Sequence, residues 1–291
     1  MSQLDPRAVD VLGPFPADST DAAPRWPSSR LVRVLKAVVP GGIGLGLFAL
    51  AWQLLAAHYA VRTANAFPSL GAIWSELSGN TSMYGIDALH TFEEVAIGLG
   101  ISFIVAFTLA VVMTHVPVVE QAVMPLAVIL NVTPVVAIAP GLTLLLGLGM
   151  SPRYVVTALI VFFPLLINSL VGLGSIDPEA LDLFHTMQAS RTEVLLHLRL
   201  PSSLPFLFVA ARICFPLATV GAVVAEFSTS GPGTGLGSAI AVAVASDAVP
   251  SVYAAIFCLA VMGLALTLLV TVAERRLLSW HPSSRLATTE R

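Results

Sequence analysis

The chain has 291 residues, 56% of them hydrophobic and 11% charged, with a net charge of −3. Soluble domains carry about 25% charged residues, so a water-soluble fold of this length has too few charges to cover its surface, and the acidic balance excludes a strongly basic nucleic-acid-binding face. Mean hydropathy of +0.88 points instead to an all-α membrane protein with about six transmembrane helices.

Residues 1–36 form an N-terminal tail. Pro6, Pro14, Pro16, Pro24 and Pro27 interrupt its first 30 residues, no apolar face repeats, and disorder is expected there. The first apolar run, Ala37 to Ala57, follows Arg30, Arg33 and Lys36. It lies too deep in the chain and is too long for a cleaved signal peptide, and it reads as a signal-anchor span. Pro68 to Gly79 carries Ile73, Trp74 and Leu77, a short interfacial helix at best.

Later spans are expected at Val95–Met113, Ala122–Leu148, Tyr154–Leu173, Phe206–Ala225 and Val252–Val272. The third holds Pro125, Pro134 and Pro140, so it is expected to be tilted or broken. Prolines free backbone carbonyls that hydrocarbon cannot satisfy. The break at Asn131-Val-Thr133-Pro134 therefore faces protein or a water-filled path, or is a plain proline kink packed on its neighbours. Asn131 and Thr133 are pathway candidates on this ground.

Lys and Arg near the span ends set orientation. Arg7, Arg25, Arg30, Arg33 and Lys36 precede the first span, Arg191 and Arg199 follow the fourth, and Arg275, Arg276, Arg285 and Arg291 follow the sixth. The other side holds Arg62 and Arg153. Both termini are thereby expected in the cytoplasm. The transmembrane domain is taken as 37–274, followed by a C-terminal tail, 275–291.

Ionisable or polar groups inside spans are functional candidates. Glu226, near the outer end of span five, is either a gate or pathway residue or an interfacial carboxylate in water. Asn168 either bonds carbonyls freed by Pro164 or faces the solute path. Arg212 lies within snorkelling reach of the cytoplasmic face and is expected to pair with an acid near the loop after span four. Gly98, Gly100, Gly172 and Gly174 are expected to permit close helix contact. His90, Glu93 and Glu94 are read as solvated residues at a span end. Cys214 and Cys258 lie in apolar segments, and neither a disulfide nor a metal site is inferred.

The cytoplasmic loop 177–205 differs from the other connections. Asp177-Pro178-Glu179 makes a helix start with acids in its first turn. A second start follows at Ser190, with Glu193 three residues on, a capping-box pattern. Two short helices are expected, with a bend near Gln188-Ala189-Ser190. Leu181, Phe184 and Met187 recur at helical spacing, forming a partner surface or packing on the protein's own spans.

This loop resembles the coupling loop, or EAA motif, of permease subunits of bacterial ABC importers. Asp182 stands at the acid position, Leu183 and Phe184 at the small positions, Ala189-Ser190-Arg191 at the usual continuation, and Leu200-Pro201 at the ending. Gln188 replaces the usual glycine, which permits positive φ at the bend. Further matches are Thr133-Pro-Val-Val-Ala-Ile-Ala-Pro140, Phe162-Phe-Pro-Leu-Leu-Ile-Asn168-Ser169, Gly221-Ala-Val-Val-Ala-Glu226, Gly235-Leu-Gly237 and Glu274-Arg275-Arg276…Trp280-His281-Pro282. The resemblance runs from about Pro68 to Pro282 and is nearest the nitrate, sulfonate, taurine and thiamine-precursor subgroup. Glu93 and Glu94 stand where that family usually has a basic pair.

The resemblance implies a type I importer fold and a set of partners. These are two ATP-binding ABC subunits, a second permease copy or paralogue, and an extracytoplasmic solute-binding protein, in membrane lipid and without nucleic acid. Asp182, Met187, Gln188, Ala189, Ser190, Arg191 and Pro201 would couple to the ATPase. Small anions such as nitrate, sulfonates or taurine fit as solutes, and so do pyrimidine vitamin precursors.

The chain is not expected to be an enzyme. It has no GxxxxGK[ST], no HExxH and no GxSxG, and its one lysine is Lys36. No cofactor is expected on this chain; ATP and Mg would sit on the partner. Gly231-Pro-Gly-Thr-Gly-Leu-Gly237 lacks the phosphate-loop lysine and reads as a tight re-entrant turn near the outer gate. The competing class is a stand-alone ion-coupled secondary transporter or channel, which would show repeated halves and several intramembrane acids. No convincing repeat is present, and Glu226 is the one candidate acid.

Overall fold

The computed structural model describes residues 30–59, 67–228 and 234–277, and every regular element among them is helical. The expected N-terminal tail to residue 29, Arg62, the start of the glycine loop and the end of the C-terminal tail lie outside the described residues. The chain divides near Leu54 into two units. Helix α1, Arg30–Tyr59, carries nearly all described residues of the first and is apolar through Pro40 and a run of glycines.

After the last residues of α1, the second unit continues with α2, Leu70–Gly79, the short helix expected there. Ser69 caps it by accepting from the Ala72 amide at 3.2 Å. Helix α3, Thr81–His115, follows. Glu76 on α2 ties the two to the sixth apolar span, because its Oε1 accepts from Asn80 Nδ2 (3.0 Å), Tyr84 OH (3.2 Å) and Ser251 Oγ (3.0 Å).

Helix α3 is 35 residues long, about 50 Å at 1.5 Å per residue. That exceeds the roughly 30 Å hydrocarbon core and the expected 95–113. Apolarity alone hides its first turns, because Asp87, His90, Glu93 and Glu94 lower the average there without breaking the helix.

The expected broken span is two helices, α4, Pro117–Val132, and α5, Val135–Leu146, meeting at 101°. Pro134 forces the preceding residue out of the helical region, and Thr133 has ψ 125°. The Ile129 carbonyl at the break accepts from both the Thr133 amide (3.0 Å) and its hydroxyl (2.7 Å). Gly147, with φ 82°, turns the chain into α6, Met150–Gly174.

Helix α7, Pro178–Thr186, and the single turn α8, Arg191–Val194, form the loop. A π-helical turn, Leu195–Arg199, leads without a break into α9, Leu200–Ser228. Span five is therefore the end of a much longer rod than 206–225. A short apolar helix that the sequence did not suggest, α10, Leu236–Ala245, precedes α11, Val249–Leu277. Among the described residues five helices are long and apolar enough to cross a membrane, or six with the bent pair counted as one.

Helix α6 lies between α3 and α9 at the centre of this unit. The facing surfaces are built from small residues, with Ala106 and Ala110 on α3 and Ala210, Cys214, Ala218 and Ala222 on α9, packed on Val161, Leu165 and Leu166. In lipid, where apolar side chains gain nothing from avoiding the solvent, such surfaces associate through close backbone approach. A Cβ on Gly98 would lie 2.6 Å from Thr157, and one on Gly172 would lie 2.9 Å from Phe206. Gly100 and Gly174 have open space around them and do not serve the role expected of them. Gly221, 3.2 Å by the same construction from the Thr157 backbone, does.

Candidate functional site

The two ends of the bundle carry different chemistry. At the loop end, Asp177 caps α7 by accepting from the Glu179 amide at 3.0 Å. The helix closes in a Schellman arrangement, in which the Gln188 amide donates to His185 O and the Ala189 amide to Phe184 O, each at 3.0 Å. Gln188 has φ 55°. It holds the left-handed position that glycine favours, so its side chain does not abolish the bend. Two residues on, Ser190 and Glu193 form the expected capping box: Ser190 Oγ accepts from the Glu193 amide and Glu193 accepts from the Ser190 amide at 2.7 Å.

The apolar residues of α7 divide. Leu181 and Phe184 are half-buried, while Leu183 is 59% and Met187 70% exposed. Asp182, Gln188, Ser190 and Arg191 are also exposed, and Ala189 and Pro201 are half-buried. The coupling candidates thus lie together on one short segment.

At the opposite end, two charged groups are buried, one of them, Glu94, read from sequence as solvated. Arg153 is 5% exposed and Glu94 fully buried, and they form an ion pair at 2.9 Å. Arg153 also donates to Thr234 O at 3.0 Å. Glu94 Oε2 accepts no hydrogen bond among the described residues. Glu93, one residue earlier and exposed, accepts from Tyr154 OH at 2.9 Å. The reading as solvated residues holds for Glu93 and is corrected for Glu94: consecutive helical positions face apart, so Glu94 enters the core and Glu93 does not.

Glu226, 2% exposed, stands beside this pair. Its carboxylate accepts from Thr91 Oγ1 and from the Ser238 amide, each at 2.8 Å. Thr91 Oγ1 accepts in turn from the Leu236 amide at 2.9 Å, and Asp87 from the Gly235 amide at 3.2 Å. Side chains from α3 and α9 thereby satisfy the start of α10, whose first amides have no helical partner. The glycines explain themselves here. A Cβ on Gly235 would sit 2.5 Å from the Glu226 carboxylate, and one on Gly237 would sit 2.9 Å from it. Of the two readings of Glu226, interfacial carboxylate in water does not fit this burial.

Asn168 donates to Pro164 O at 2.8 Å, the carbonyl one turn back. Asn131 is exposed and Thr133 half-exposed at the break between α4 and α5. None of Asn131, Thr133, Asn168 and Glu226 lines the pocket that Thr114, His115, His185 and Arg191 help to form. Arg212 pairs with Glu274 on α11, its Nε 2.7 Å from the carboxylate, and not with a loop acid.

Sequence reasoning passed over Arg153, Thr91 and Asp87. The available signal was an arginine just inside the start of an apolar helix, a group that lipid does not tolerate without a partner.

The description of one protein family, binding-protein-dependent transport system inner membrane component, matches residues 97–279. The riboflavin transport system permease protein of Chloroflexus aurantiacus is 37% identical over 169 residues, 58% of this chain and 62% of that protein. The formylaminopyrimidine transport permease protein of Halalkalibacterium halodurans is 34% identical over 191 residues, 66% of this chain and 76% of that one. A putative aliphatic sulfonates transport permease protein of Bacillus subtilis is 29% identical over 154 residues, 53% of this chain and 55% of its own length. The match thus spans less than two thirds of the riboflavin and sulfonate permeases. A buried helical bundle, the loop between α6 and α9, and these relatives agree: the chain belongs to the inner-membrane permease family of binding-protein-dependent ABC importers and is a multi-pass protein of the cytoplasmic membrane.

Proposed function

We propose that this permease is driven by a separate ATP-binding subunit that docks on loop 177–205. In this reading both termini and the loop are cytoplasmic. Two ATPase copies serve a pair of permeases, identical or paralogous, ATP and Mg stay on the ATPase, and an extracytoplasmic binding protein delivers the solute. The observation that carries the reading is the exposure of Leu183 and Met187 on a helix fixed at both ends, by the Asp177 cap and by the Gln188 bend. Exposed apolar residues on a rigid, water-facing helix suit a groove on a partner.

The ATPase dimer would close and open beneath the loop, and α8, the π-helical turn and α9 would transmit the movement as one rod from Arg191 towards Glu226. Nucleotide shifts such a system through its different affinity for the two states. Glu226 then acts as a gate residue by holding the start of α10 against α3. Asn131, Thr133 and Asn168, at proline-weakened positions, are the pathway candidates.

The solute is a small molecule of the kind handled by the relatives, either a pyrimidine vitamin precursor or a small anion such as a sulfonate, nitrate or taurine. Ligand binding by the cognate binding protein separates these. The docking itself is tested by Met187→Cys and cross-linking in membranes. A cross-link to the ATP-binding subunit supports the reading, and labelling of that cysteine from the extracytoplasmic side overturns it.

A further inference from the structure

An open pocket of about 220 Å3 lies behind the coupling segment. Thr114 and His115, at the end of α3, form one wall. His185 and Ala189, with Arg191 and Arg199, form the other. Among the described residues no carboxylate lines it. The acids on the same segment are turned to other tasks or other faces: Asp177 and Glu193 cap helices, and Glu179 and Asp182 are exposed outside the lining.

No described carboxylate pairs with either arginine; the ion pairs found among the described residues are Glu93 with His90, Glu94 with Arg153, and Glu274 with Arg212. Arg199 donates one N–H to Leu173 O at 3.0 Å, which anchors its guanidinium at the end of α6. A guanidinium has five N–H donors, so most remain for a ligand. His115 is held in place as well, its Nδ1 2.8 Å from Val111 O.

We infer that this pocket, between the end of α3 and the coupling segment, binds a phosphate group through Arg191 and Arg199. Arginine forks match phosphate oxygens in geometry and charge. The volume falls below the roughly 300–1,000 Å3 of drug-sized sites and suits one small anionic group. Basic pockets at a membrane face bind lipid headgroups by this chemistry, and a soluble phosphate or phosphate ester presents the same oxygens. Either occupant would bridge α3 to the coupling segment and restrain their relative movement. The inference concerns binding alone, and it stands whether or not an ATPase docks at the exposed face of α7.

The test uses the full chain in phosphatidylcholine nanodiscs, with inorganic phosphate as the soluble probe and phosphatidylglycerol as the lipid probe. Variants are Arg191→Gln, Arg191→Gln with Arg199→Gln, and Arg276→Gln as a control outside the pocket. Arg191→Gln removes no hydrogen bond seen in the structure, which protects the test against misfolding of the double variant. If the ligand is soluble, phosphate raises the melting temperature by about 2–4 °C, chloride at equal ionic strength does not, and Arg191→Gln at least halves the shift while Arg276→Gln keeps it. If the ligand is a lipid, native mass spectrometry finds phosphatidylglycerol retained by the wild type and lost at least threefold in Arg191→Gln. Wild type and Arg191→Gln behaving alike with both probes overturns the inference.

Discussion

A carboxylate secures the start of a helix at each end of this bundle, and the two cases differ in almost everything else. Glu193 accepts from the Ser190 amide three residues away and lies in the open. Glu226 accepts from the Ser238 amide twelve residues on, across the glycine loop, and is 2% exposed. The first is a local cap that water can replace. The second is shared with Thr91 and lies beside the Glu94–Arg153 pair, so each group there depends on the others. The contrast separates an exposed local cap from a latch built into the core.

The comparison is broken most severely at Arg153. Arg153→Leu leaves Glu94 buried without its cation, and removal of one partner from a buried pair costs about 3–5 kcal/mol. Chemical denaturation in detergent should show a loss of that order, while Glu93→Gln, at an exposed position, should change stability by less than about 0.5 kcal/mol. Equal effects would contradict the division between the two acids.

Glu226→Gln comes next. An amide keeps one acceptor but cannot accept from both Thr91 and Ser238, and an unsatisfied buried group costs about 1–3 kcal/mol. Transport or basal ATPase activity of the assembled complex should change as well. Gly235→Ala should reproduce the defect, because the added methyl enters the space of the carboxylate. Wild-type stability and activity in Glu226→Gln would return that residue to a passive role.

The smallest effect is expected at the loop end. Gln188→Gly relieves a left-handed residue, a strain of roughly 1–2 kcal/mol per non-glycine position, partly offset by the greater freedom of glycine when unfolded. A net gain of no more than about 1 kcal/mol is expected, with coupling intact. A loss of coupling would mean that the glutamine side chain itself contacts the partner.

What the sequence made legible follows the same division. Both helix starts of loop 177–205, its bend and the break at Thr133-Pro134 rest on residues within four positions of each other. Capping and proline sterics act at that range, so a linear reading finds them. The latch joins Thr91, Glu94, Arg153 and Glu226 from three different helices, with no periodicity to connect them. Helix α10 escaped notice because ten residues fall short of a span and because Glu226, which secures its start, lies on the preceding helix. Leu183 stands at a small-residue position by resemblance, and its exposure follows from how α7 sits in three dimensions, which spacing alone does not give.

In the proposed function, loop 177–205 carries the coupling. The most direct test of that role is the ratio of solute uptake to ATP hydrolysis in proteoliposomes of the full complex carrying Ala189→Trp, with Asp182→Trp beside it. The account predicts that hydrolysis continues while uptake falls at least tenfold, or that the ATPase no longer assembles with the permease. Wild-type uptake and a wild-type ratio in both variants would contradict it.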